Sequence, residues 1–458
     1  MHKKKKAGLS LLIAVIMISI LPLPASADTW DLTLPSLTDV FADYFVIGNI
    51  MEPRRLNRSE TTSAFAHHYS FVTAENAMKP GHISRNANIY NFDDVDIFML
   101  WAEEYGLGVI GHTLVWHSQS PNWLTLDEDE NLLTREEART NMQNYINEVA
   151  GRYAGRIHAW DVVNEAFLTS VREVPFDGDW RSALRKEPGH MDGNKTQWYA
   201  AYSNGADFDA GECGSDYIYD AFVFTRLADP AAILYYNDFN ETDPGKREVI
   251  AMMTEELNER WADDPRNTER GRLLIEGLGL QAHYWTENLS PVSVELTILR
   301  WMETGAEISI TELDIPLGRF GRYADPTEEN FEHQAKLYEQ LFAIFLKYSD
   351  NIERVTFWGM LDTQSWRGEG HPLIFDGRQQ AKPAFFSILK ALEMHELAIY
   401  GPEGRNPGAD EPTEVVPPVI GEIDDDEDYA ANWLLLVLLG GGILIAAVII
   451  IFMATKKR

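Results

Sequence analysis

The feature that most constrains the fold is a series of short, apolar, β-rich runs that recur along the chain with helical stretches between them. Near-continuous apolar strands are typical of a parallel sheet covered on both faces. Eight such runs, alternating with helical patterns such as Arg135–Tyr153 and Glu328–Lys347, predict one closed (β/α)8 barrel of the α/β class. The runs are Tyr44–Ile50, Phe71–Glu75, Gly108–Trp116, Ile157–Asn164, Ala232–Asp238, Leu274–His283, Ile308–Leu313 and Val355–Met360.

The N-terminal segment has the pattern of a secretory signal peptide. Four lysines, Lys3–Lys6, precede an apolar run from Leu9 to Leu21, and the small residues Ala25-Ser26-Ala27 follow. This order predicts a signal peptide over residues 1–27, removed after Ala27. An uncleaved membrane anchor is the alternative, which the shortness of the apolar run disfavours.

The C-terminal segment is predicted to anchor the protein in a membrane. Trp433 to Ala454 contains no charged residue, which is enough for one membrane-spanning helix, assigned here to residues 432–454. The basic ending, residues 455–458, favours the cytoplasmic side. A lipid-attachment signal with a removed tail is the alternative. Residues 399–431, rich in Pro, Gly and acidic residues, read as an extended linker.

Residues 28–398 are therefore expected to form a single exported domain outside the cell, tethered to the cell membrane. The chain carries a formal net charge of −32, which disfavours nucleic acid and suits a neutral or weakly charged ligand. Its single cysteine, Cys213, excludes an internal disulfide, so core packing has to stabilise the domain. No obligate protein partner is indicated.

Polar residues cluster where the predicted strands end. In a (β/α)8 barrel the C-terminal strand ends converge on one open face, and active sites form there. A purely structural role would scatter such residues over both rims. The residues are Glu75-Asn76, His112, His117, Asn164-Glu165, Asn237-Asp238, Gln281, His283, Glu312 and Trp358.

Two glutamates stand out in this set. Glu165 ends the fourth predicted strand and Glu312 lies near the end of the seventh, so the two can face each other across the barrel mouth. Cleavage of a glycosidic bond needs one carboxyl group to protonate the leaving oxygen and a second to stabilise the oxocarbenium-like centre. A structural ion pair is the alternative for each glutamate taken alone.

Tryptophans are frequent in the same segments. Flat indole rings bind the apolar faces of sugars, although core packing accounts equally well for about half of such residues. They are Trp116, Trp123, Trp285, Trp358 and Trp366.

The sequence favours no metal or cofactor. His112 and His117 lack the spacing of a zinc site, and the acidic run Asp424–Asp428 lacks the glycine of a calcium loop. No phosphate-binding loop, dinucleotide-binding motif or serine-nucleophile elbow occurs in a suitable context.

Five ordered motifs carry a more specific likeness: Glu75-Asn-Ala-Met-Lys79, Gly111-His-Thr-Leu-Val-Trp-His117, Trp160-Asp-Val-Val-Asn-Glu165, Gly279-Leu-Gln-Ala-His283 and Ile310-Thr-Glu-Leu-Asp314. Through them the chain resembles glycoside hydrolase family 10, the retaining endo-β-1,4-xylanases, over about residues 35–395. The resemblance implies hydrolysis of xylan and xylo-oligosaccharides without a cofactor.

The resemblance also implies roles for the residues of these motifs. Glu165 would be the acid/base and Glu312 the nucleophile. Asn164 would bind the sugar 2-hydroxyl beside the breaking bond. His283 would hydrogen-bond Glu312 and keep it ionised, with Asp314 supporting His283 from behind.

Further residues would position the substrate. Gln281 is expected to position the region of the second carboxyl group. The residues expected to grip or line the non-reducing side of the cleft are Glu75, Asn76, Lys79, His112, Trp116, Trp358 and Trp366.

Two regions depart from the family pattern. The connection Leu168–Ser215 is longer than the usual equivalent and shows no clear periodicity, and the segment Trp358–Trp366 matches loosely. We expect both to shape the cleft rather than the chemistry.

Other functions remain open on the sequence. A β-1,4-glucanase or an exo-acting xylosidase is possible on the same barrel. A non-catalytic carbohydrate-binding protein is disfavoured, because both glutamates, Asn164 and His283 are present.

Overall fold

A computed structural model describes residues 29–189 and 195–401, and its central element is a closed barrel of eight parallel strands. Neighbouring strands follow one another in the chain, and the first strand closes the barrel by pairing with the last. The predicted (β/α)8 architecture is confirmed. The barrel strands are Val46–Ile50 (β1), Phe71–Thr73 (β2), Gly108–Trp116 (β3), Ala159–Asn164 (β4), Ile233–Asp238 (β5), Gly277–Leu280 (β6), Glu307–Leu313 (β7) and Ile352–Phe357 (β10).

A small antiparallel hairpin follows β7, formed by Gly318–Arg319 (β8) and Arg322–Tyr323 (β9). The helices run between the strands and cover the barrel. They are Leu37–Val40 (α1), Ser59–His68 (α2), Pro80–Ile83 (α3), Asp93–Glu104 (α4), Arg135–Arg152 (α5), Gln197–Ser203 (α6), Asp216–Ala228 (α7), Pro244–Ala262 (α8), Pro291–Met302 (α9), Glu328–Lys347 (α10) and Pro383–Tyr400 (α11).

Local sequence signals explain where the longer helices begin. The Thr134 side chain and the Glu137 side chain form a reciprocal capping box at the start of α5. Proline occupies the first turn of α8, α9 and α11. Backbone N–H groups in the first turn have no acceptor within the helix, so the lack of an N–H in proline costs no helical hydrogen bond there. The helices predicted at Arg135–Tyr153 and Glu328–Lys347 are found within one residue of those bounds.

The long connection after β4 is a folded part of the domain. It contains α6 and short 3-10 turns at Trp180–Ala183 and Phe208–Ala210. Trp180 is buried, and its indole N–H donates to a carboxylate oxygen of Glu256 on α8 at 2.8 Å. The sequence showed no periodicity here because these elements are shorter than the window that a periodic pattern needs.

The barrel interior combines strand glycines with large aromatic side chains. Tyr235 packs in an inner cluster with Ile110 and Ala159, separate from the larger core between strands and helices. A Cβ atom added to Gly277 would lie 2.4 Å from the Tyr235 ring. The glycine therefore provides the space that the tyrosine fills.

No helix within residues 29–189 and 195–401 is long and apolar enough to cross a membrane. The predicted signal peptide (1–27), transmembrane helix (432–454) and basic tail (455–458) lie outside the described residues, as does the predicted linker beyond residue 401. Helix α11 continues to Tyr400, two residues past the end predicted for the catalytic domain.

Gly277→Ala should lower the free energy of unfolding by about 1–3 kcal/mol, because the added methyl group overpacks the barrel interior against Tyr235. Gly151→Ala on α5 is the matched control, since nothing lies within 4 Å of its added Cβ. It should stabilise the protein by about 0.5–1 kcal/mol through helix propensity. Urea unfolding measures both changes, and equal effects of the two variants would contradict the packing argument.

Candidate active site

The two glutamates singled out in the sequence lie on the same rim of the barrel. Glu165 directly follows β4, and Glu312 is the penultimate residue of β7. Both strands run in the same direction, so these positions share the C-terminal face where barrel active sites form. Glu312 is buried, whereas Glu165 is partly exposed.

Neutral donors surround the Glu165 carboxyl group. The Trp116 indole N–H donates to its Oε2 atom at 3.0 Å. The side-chain amides of Gln281 and Asn164 donate to its Oε1 atom at 2.9 and 3.2 Å. His117 lies further away, with Nδ1 3.9 Å from Oε2. These contacts hold the carboxyl group in one orientation at the barrel mouth.

The contact of Gln281 differs from the expectation. Its amide was expected to position the region of the second carboxyl group, but it bonds to Glu165 and, at 3.2 Å, to the Asn164 side-chain oxygen. Gln281 follows β6, and a side chain of its length reaches back across the barrel mouth to the residues that follow β4. It therefore belongs to the Glu165 half of the site.

Charged and polar donors surround Glu312 instead. Its Oε2 atom lies 3.1 Å from His283 Nε2, and its Oε1 atom accepts from Asn237 Nδ2 at 2.8 Å. Burial alone would raise the pKa of Glu312. The hydrogen bond from His283, with the charges of His112 and His283, outweighs burial and brings the pKa below its ordinary value.

His283 lies between two carboxylates. Its Nδ1 atom is 3.1 Å from Asp314 Oδ1, on the side opposite Glu312. Burial disfavours the charged imidazole, but the charges and hydrogen bonds of Asp314 and Glu312 raise the pKa of His283 to about 9. The histidine is consequently an imidazolium at neutral pH and stabilises both neighbouring carboxylates.

Asp314 is bound by two residues of the loop that follows β10. Arg367 forms a buried ion pair with its Oδ1 atom, and the Trp366 indole N–H donates to Oδ2 at 3.1 Å. Burial would raise the pKa of Asp314, but the charges of His283 and Arg367 lower it overall. The Trp366 ring also packs against His283, with centroids 5.1 Å apart, while 61% of the residue remains exposed.

Asn237 joins the two halves of the site. Its Nδ2 atom donates to Glu312 and also to Asn164 Oδ1 at 2.9 Å, while its own Oδ1 accepts from the Thr311 hydroxyl at 2.6 Å. The Asn164 oxygen is thereby occupied, and its amide nitrogen donates to Glu165. A Cβ atom on Gly279 would lie 2.4 Å from Asn237 Oδ1, so the glycine leaves room for this amide.

The residues after β2 form one wall of the rim. Lys79 Nζ donates to Asn76 Oδ1 at 3.1 Å and lies 5.1 Å from the centroid of the Trp116 ring. Burial lowers the pKa of Lys79, against the opposing effect of carboxylates that include Glu312 and Glu75. Burial, and the charge of nearby Glu52, raise the pKa of Glu75. This wall therefore presents a buried ammonium group and carboxyl groups close together.

His112 and Trp358 lie between this wall and His283. His112 Nδ1 is 2.9 Å from Asp161 Oδ2, and its ring packs edge-on against Trp358 with centroids 5.3 Å apart. Trp358 also approaches the His283 ring at 6.3 Å. The structure thus brings every predicted site residue to the same rim.

Two other tryptophans noted in the sequence lie outside these contacts. Trp123 donates its indole N–H to the Ser84 carbonyl at 3.0 Å, a structural role. Trp285 packs against Tyr323 of the hairpin, with ring centroids 5.4 Å apart, and against the guanidinium of Arg367. Within the described ranges, no group of three or more His, Cys, Asp or Glu side chains is placed to hold a metal ion.

The sequence assigned no role to three residues of the site, which are Asn237, Arg367 and Arg185. The Arg185 Nε atom donates to the Glu165 carbonyl at 2.9 Å. Asn237 carried a signal, because it is a polar residue at the end of an apolar strand. Arg185 lies in the connection Leu168–Ser215, and Arg367 directly follows the segment Trp358–Trp366. Only the folded chain shows their partners.

Comparison with known proteins agrees with this geometry. The model of glycosyl hydrolase family 10 matches residues 36–391. The chain is 32% identical over 368 residues to an endo-1,4-β-xylanase of Geobacillus stearothermophilus, covering 78% of this chain and 98% of that one. It is 35% identical to endo-1,4-β-xylanase A of Thermotoga neapolitana over 78% of its own length, but it spans only 31% of that longer protein.

A solved structure gives the same result. A GH10 xylanase from termite gut that contains a bacterial Ig-like domain superposes with a TM-score of 0.70 at 36% identity, over 81% of this chain and 80% of that chain. The family match covers most of the chain and includes the whole barrel rim described above. The chain belongs to glycosyl hydrolase family 10.

Proposed function

We propose that the chain is an endo-1,4-β-xylanase that hydrolyses internal linkages of xylan with retention of anomeric configuration. The observation that carries this proposal is the unequal environment of two carboxyl groups on one rim. Glu312 is kept ionised by an imidazolium, whereas Glu165 contacts neutral donors. One nucleophile and one proton donor are what double displacement requires.

In the first step, Glu312 attacks the anomeric carbon while protonated Glu165 gives its proton to the leaving glycosidic oxygen. The bond to the leaving sugar breaks, and a glycosyl ester forms on Glu312. The Asn164 amide nitrogen lies beside Glu165, and in the proposed mechanism it donates to a sugar hydroxyl as charge develops. The leaving sugar departs as a neutral alcohol.

In the second step, Glu165 is ionised and removes a proton from water, which attacks the anomeric carbon of the glycosyl ester and releases Glu312 as a carboxylate. His283 remains charged throughout, because Asp314 holds it from the other side. The returning negative charge on Glu312 therefore meets a cation already in place, which lowers the cost of breaking the ester.

The walls of the rim support a sugar polymer as the ligand. Trp116, Trp358 and Trp366 place indole rings on this rim, and Glu75, Asn76 and Lys79 place polar groups on the β2 side. Such alternation of flat apolar and polar surface matches a pyranose chain. Xylan and xylo-oligosaccharides are the proposed substrates, as the names of the relatives also suggest.

Digestion of xylan and of cellulose tests the proposal directly. The protein should release xylo-oligosaccharides from xylan, with the β-anomer first seen by NMR, and leave cellulose intact. Glu312→Ala should lower xylan turnover by about 10⁴-fold or more while xylo-oligosaccharide binding persists, because only the nucleophile is lost. Glu103→Ala on the outer helix α4 is the control and should remain fully active.

Three outcomes would count against this function. Hydrolysis of cellulose without hydrolysis of xylan would indicate a β-glucanase, and release of single xylose units from chain ends would indicate an exo-acting xylosidase. Undiminished hydrolysis by Glu312→Ala would exclude the mechanism.

The charge on His283 predicts a pH dependence of stability. Because its pKa is about 9 in the folded protein and about 6.5 when unperturbed, the folded state holds its proton over a range in which the unfolded state has lost it. This stabilisation is complete below pH 6.5 and is lost as the pH rises through 9. It amounts to at most about 3 kcal/mol.

Chemical denaturation at pH 6.5 and pH 9 measures this effect. His283→Gln removes the titrating group and keeps a side-chain N–H, so its free energy of unfolding should fall less between the two pH values than that of the wild-type protein. Identical pH dependence of the two proteins would rule out a charged His283 in the folded state.

We also propose that the domain is displayed on the outer side of the cell membrane. The support is the sequence alone: the signal-like residues 1–27 and the uncharged run over residues 432–454. Xylanase activity should sediment with membranes when the full chain is expressed in a bacterium, and it should appear in the medium when the chain ends at residue 431. Soluble cytoplasmic activity of the full chain would contradict this localisation.

A further inference from the structure

Glu165 has a backbone conformation that an L-residue rarely adopts. Its φ angle is +58°, in the left-handed region, at the point where β4 ends. A glutamate gains nothing locally from this conformation, which brings Cβ close to the following carbonyl. The surrounding structure therefore has to hold it, as is common for residues at functional sites.

Hydrogen bonds fix the main chain on both sides of Glu165. Its own N–H donates to the Asn237 carbonyl at 2.9 Å, and the N–H of the next residue, Ala166, donates to the Tyr236 hydroxyl at 3.0 Å. Both contacts come from β5. The Glu165 carbonyl accepts from Arg185 Nε at 2.9 Å, which is a contact from the long connection.

A short antiparallel contact brings Arg185 to this place. Phe167 and Leu184 form an isolated bridge, the Leu168 N–H donates to the Ala183 carbonyl, and the Arg185 N–H donates to the Ala166 carbonyl at 3.0 Å. The connection therefore returns alongside the residues that directly follow Glu165. These hydrogen bonds attach the connection to the residues next to Glu165.

The burial of Arg185 is unusual for an arginine. Only 1% of the residue is exposed, and its Nη1 atom has no hydrogen-bond partner in the part of the chain that the structure describes. A buried guanidinium without full pairing costs free energy, and an apolar side chain of similar size would avoid that cost. Stability alone therefore does not account for an arginine at this position.

We propose that Arg185 is a positioning residue, which holds the Glu165 peptide so that the carboxyl group points at the leaving glycosidic oxygen. The inference rests on the proposed role of Glu165 as acid/base. Without Arg185, the carbonyl loses its donor, the peptide is free to rotate, and the Cα–Cβ direction changes with it. Proton transfer tolerates such a change poorly, because it requires hydrogen-bond distance between the carboxyl group and the leaving oxygen.

The signature of this role is dependence on the leaving group. A phenol leaves with difficulty and needs the proton from Glu165, whereas 2,4-dinitrophenolate leaves without one. The ratio kcat/KM reports the first step alone. A misplaced acid therefore lowers kcat/KM for phenyl β-xylobioside and spares 2,4-dinitrophenyl β-xylobioside, while general damage to the site lowers both equally.

The experiment compares Arg185→Met and Arg185→Lys with the wild-type protein on these two substrates. Arg185→Met should lose about 10- to 100-fold in kcat/KM on the phenyl substrate and less than about threefold on the dinitrophenyl substrate. Arg185→Lys, which keeps a cationic donor, should show the same selectivity to a smaller degree. Thermal unfolding shows whether Arg185→Met folds. If it does not fold, Arg185→Lys alone serves as the test.

Azide gives a second readout. It attacks the glycosyl ester without needing a general base, so it should accelerate dinitrophenyl β-xylobioside turnover by the Arg185 variants more than by the wild-type protein. A purely structural role would not produce this acceleration.

Two controls define the outcome. Arg181→Met lies in the same connection, where Arg181 pairs with Glu256 and stacks on Trp180, and it should leave the ratio between the two substrates unchanged. Glu165→Ala should show the selective loss at its largest. If Glu165→Ala lacks that selectivity, the proposed function itself fails. If Glu165→Ala shows it while both Arg185 variants lose activity equally on both substrates, or lose none, only the role of Arg185 is overturned.

Discussion

A positive charge on His283 allows Glu312 and Asp314 to remain ionised within the barrel rim. Arg367 continues the row on the far side of Asp314, so that carboxylates and cations alternate from Glu312 to the loop after β10. Each charge in the row is compensated by its neighbours, which is the condition under which charges can be buried at all. The pairing of His283 with Asp314 just beyond β6 and β7 sets this alternation in place.

The opposite half of the site has a different character. Glu165 is contacted by an indole and two side-chain amides, all of them neutral. Asn237 connects the halves, since its side-chain nitrogen Nδ2 donates hydrogen bonds to both Glu312 and Asn164. The two carboxyl groups thus differ in their surroundings although they lie on the same rim, and this difference supports the proposed division between nucleophile and acid/base.

Much of the fold followed from the sequence because barrel strands and their covering helices leave strong periodic patterns. The eighth barrel strand was located three residues late, since the charged pair Glu353 and Arg354 interrupts its apolar pattern; Arg354 is nevertheless buried inside the barrel, where it lies over Tyr235. Both glutamates were predicted to lie on one rim because they occur at strand ends, and the structure places them there. The partner of Gln281 and the buried contact of Arg185 could not be predicted from the sequence, because each depends on which of several loops a long side chain reaches.

Gly279 shows a limit on how an active site can be recognised. It has no functional group, yet any side chain there would displace the Asn237 amide that bonds both Glu312 and Asn164. A position can therefore be as restricted as a catalytic residue through the volume that it leaves empty. Searches that score side-chain chemistry would overlook it, whereas mutational scanning for activity would place a residue with no side chain among the most sensitive in the barrel.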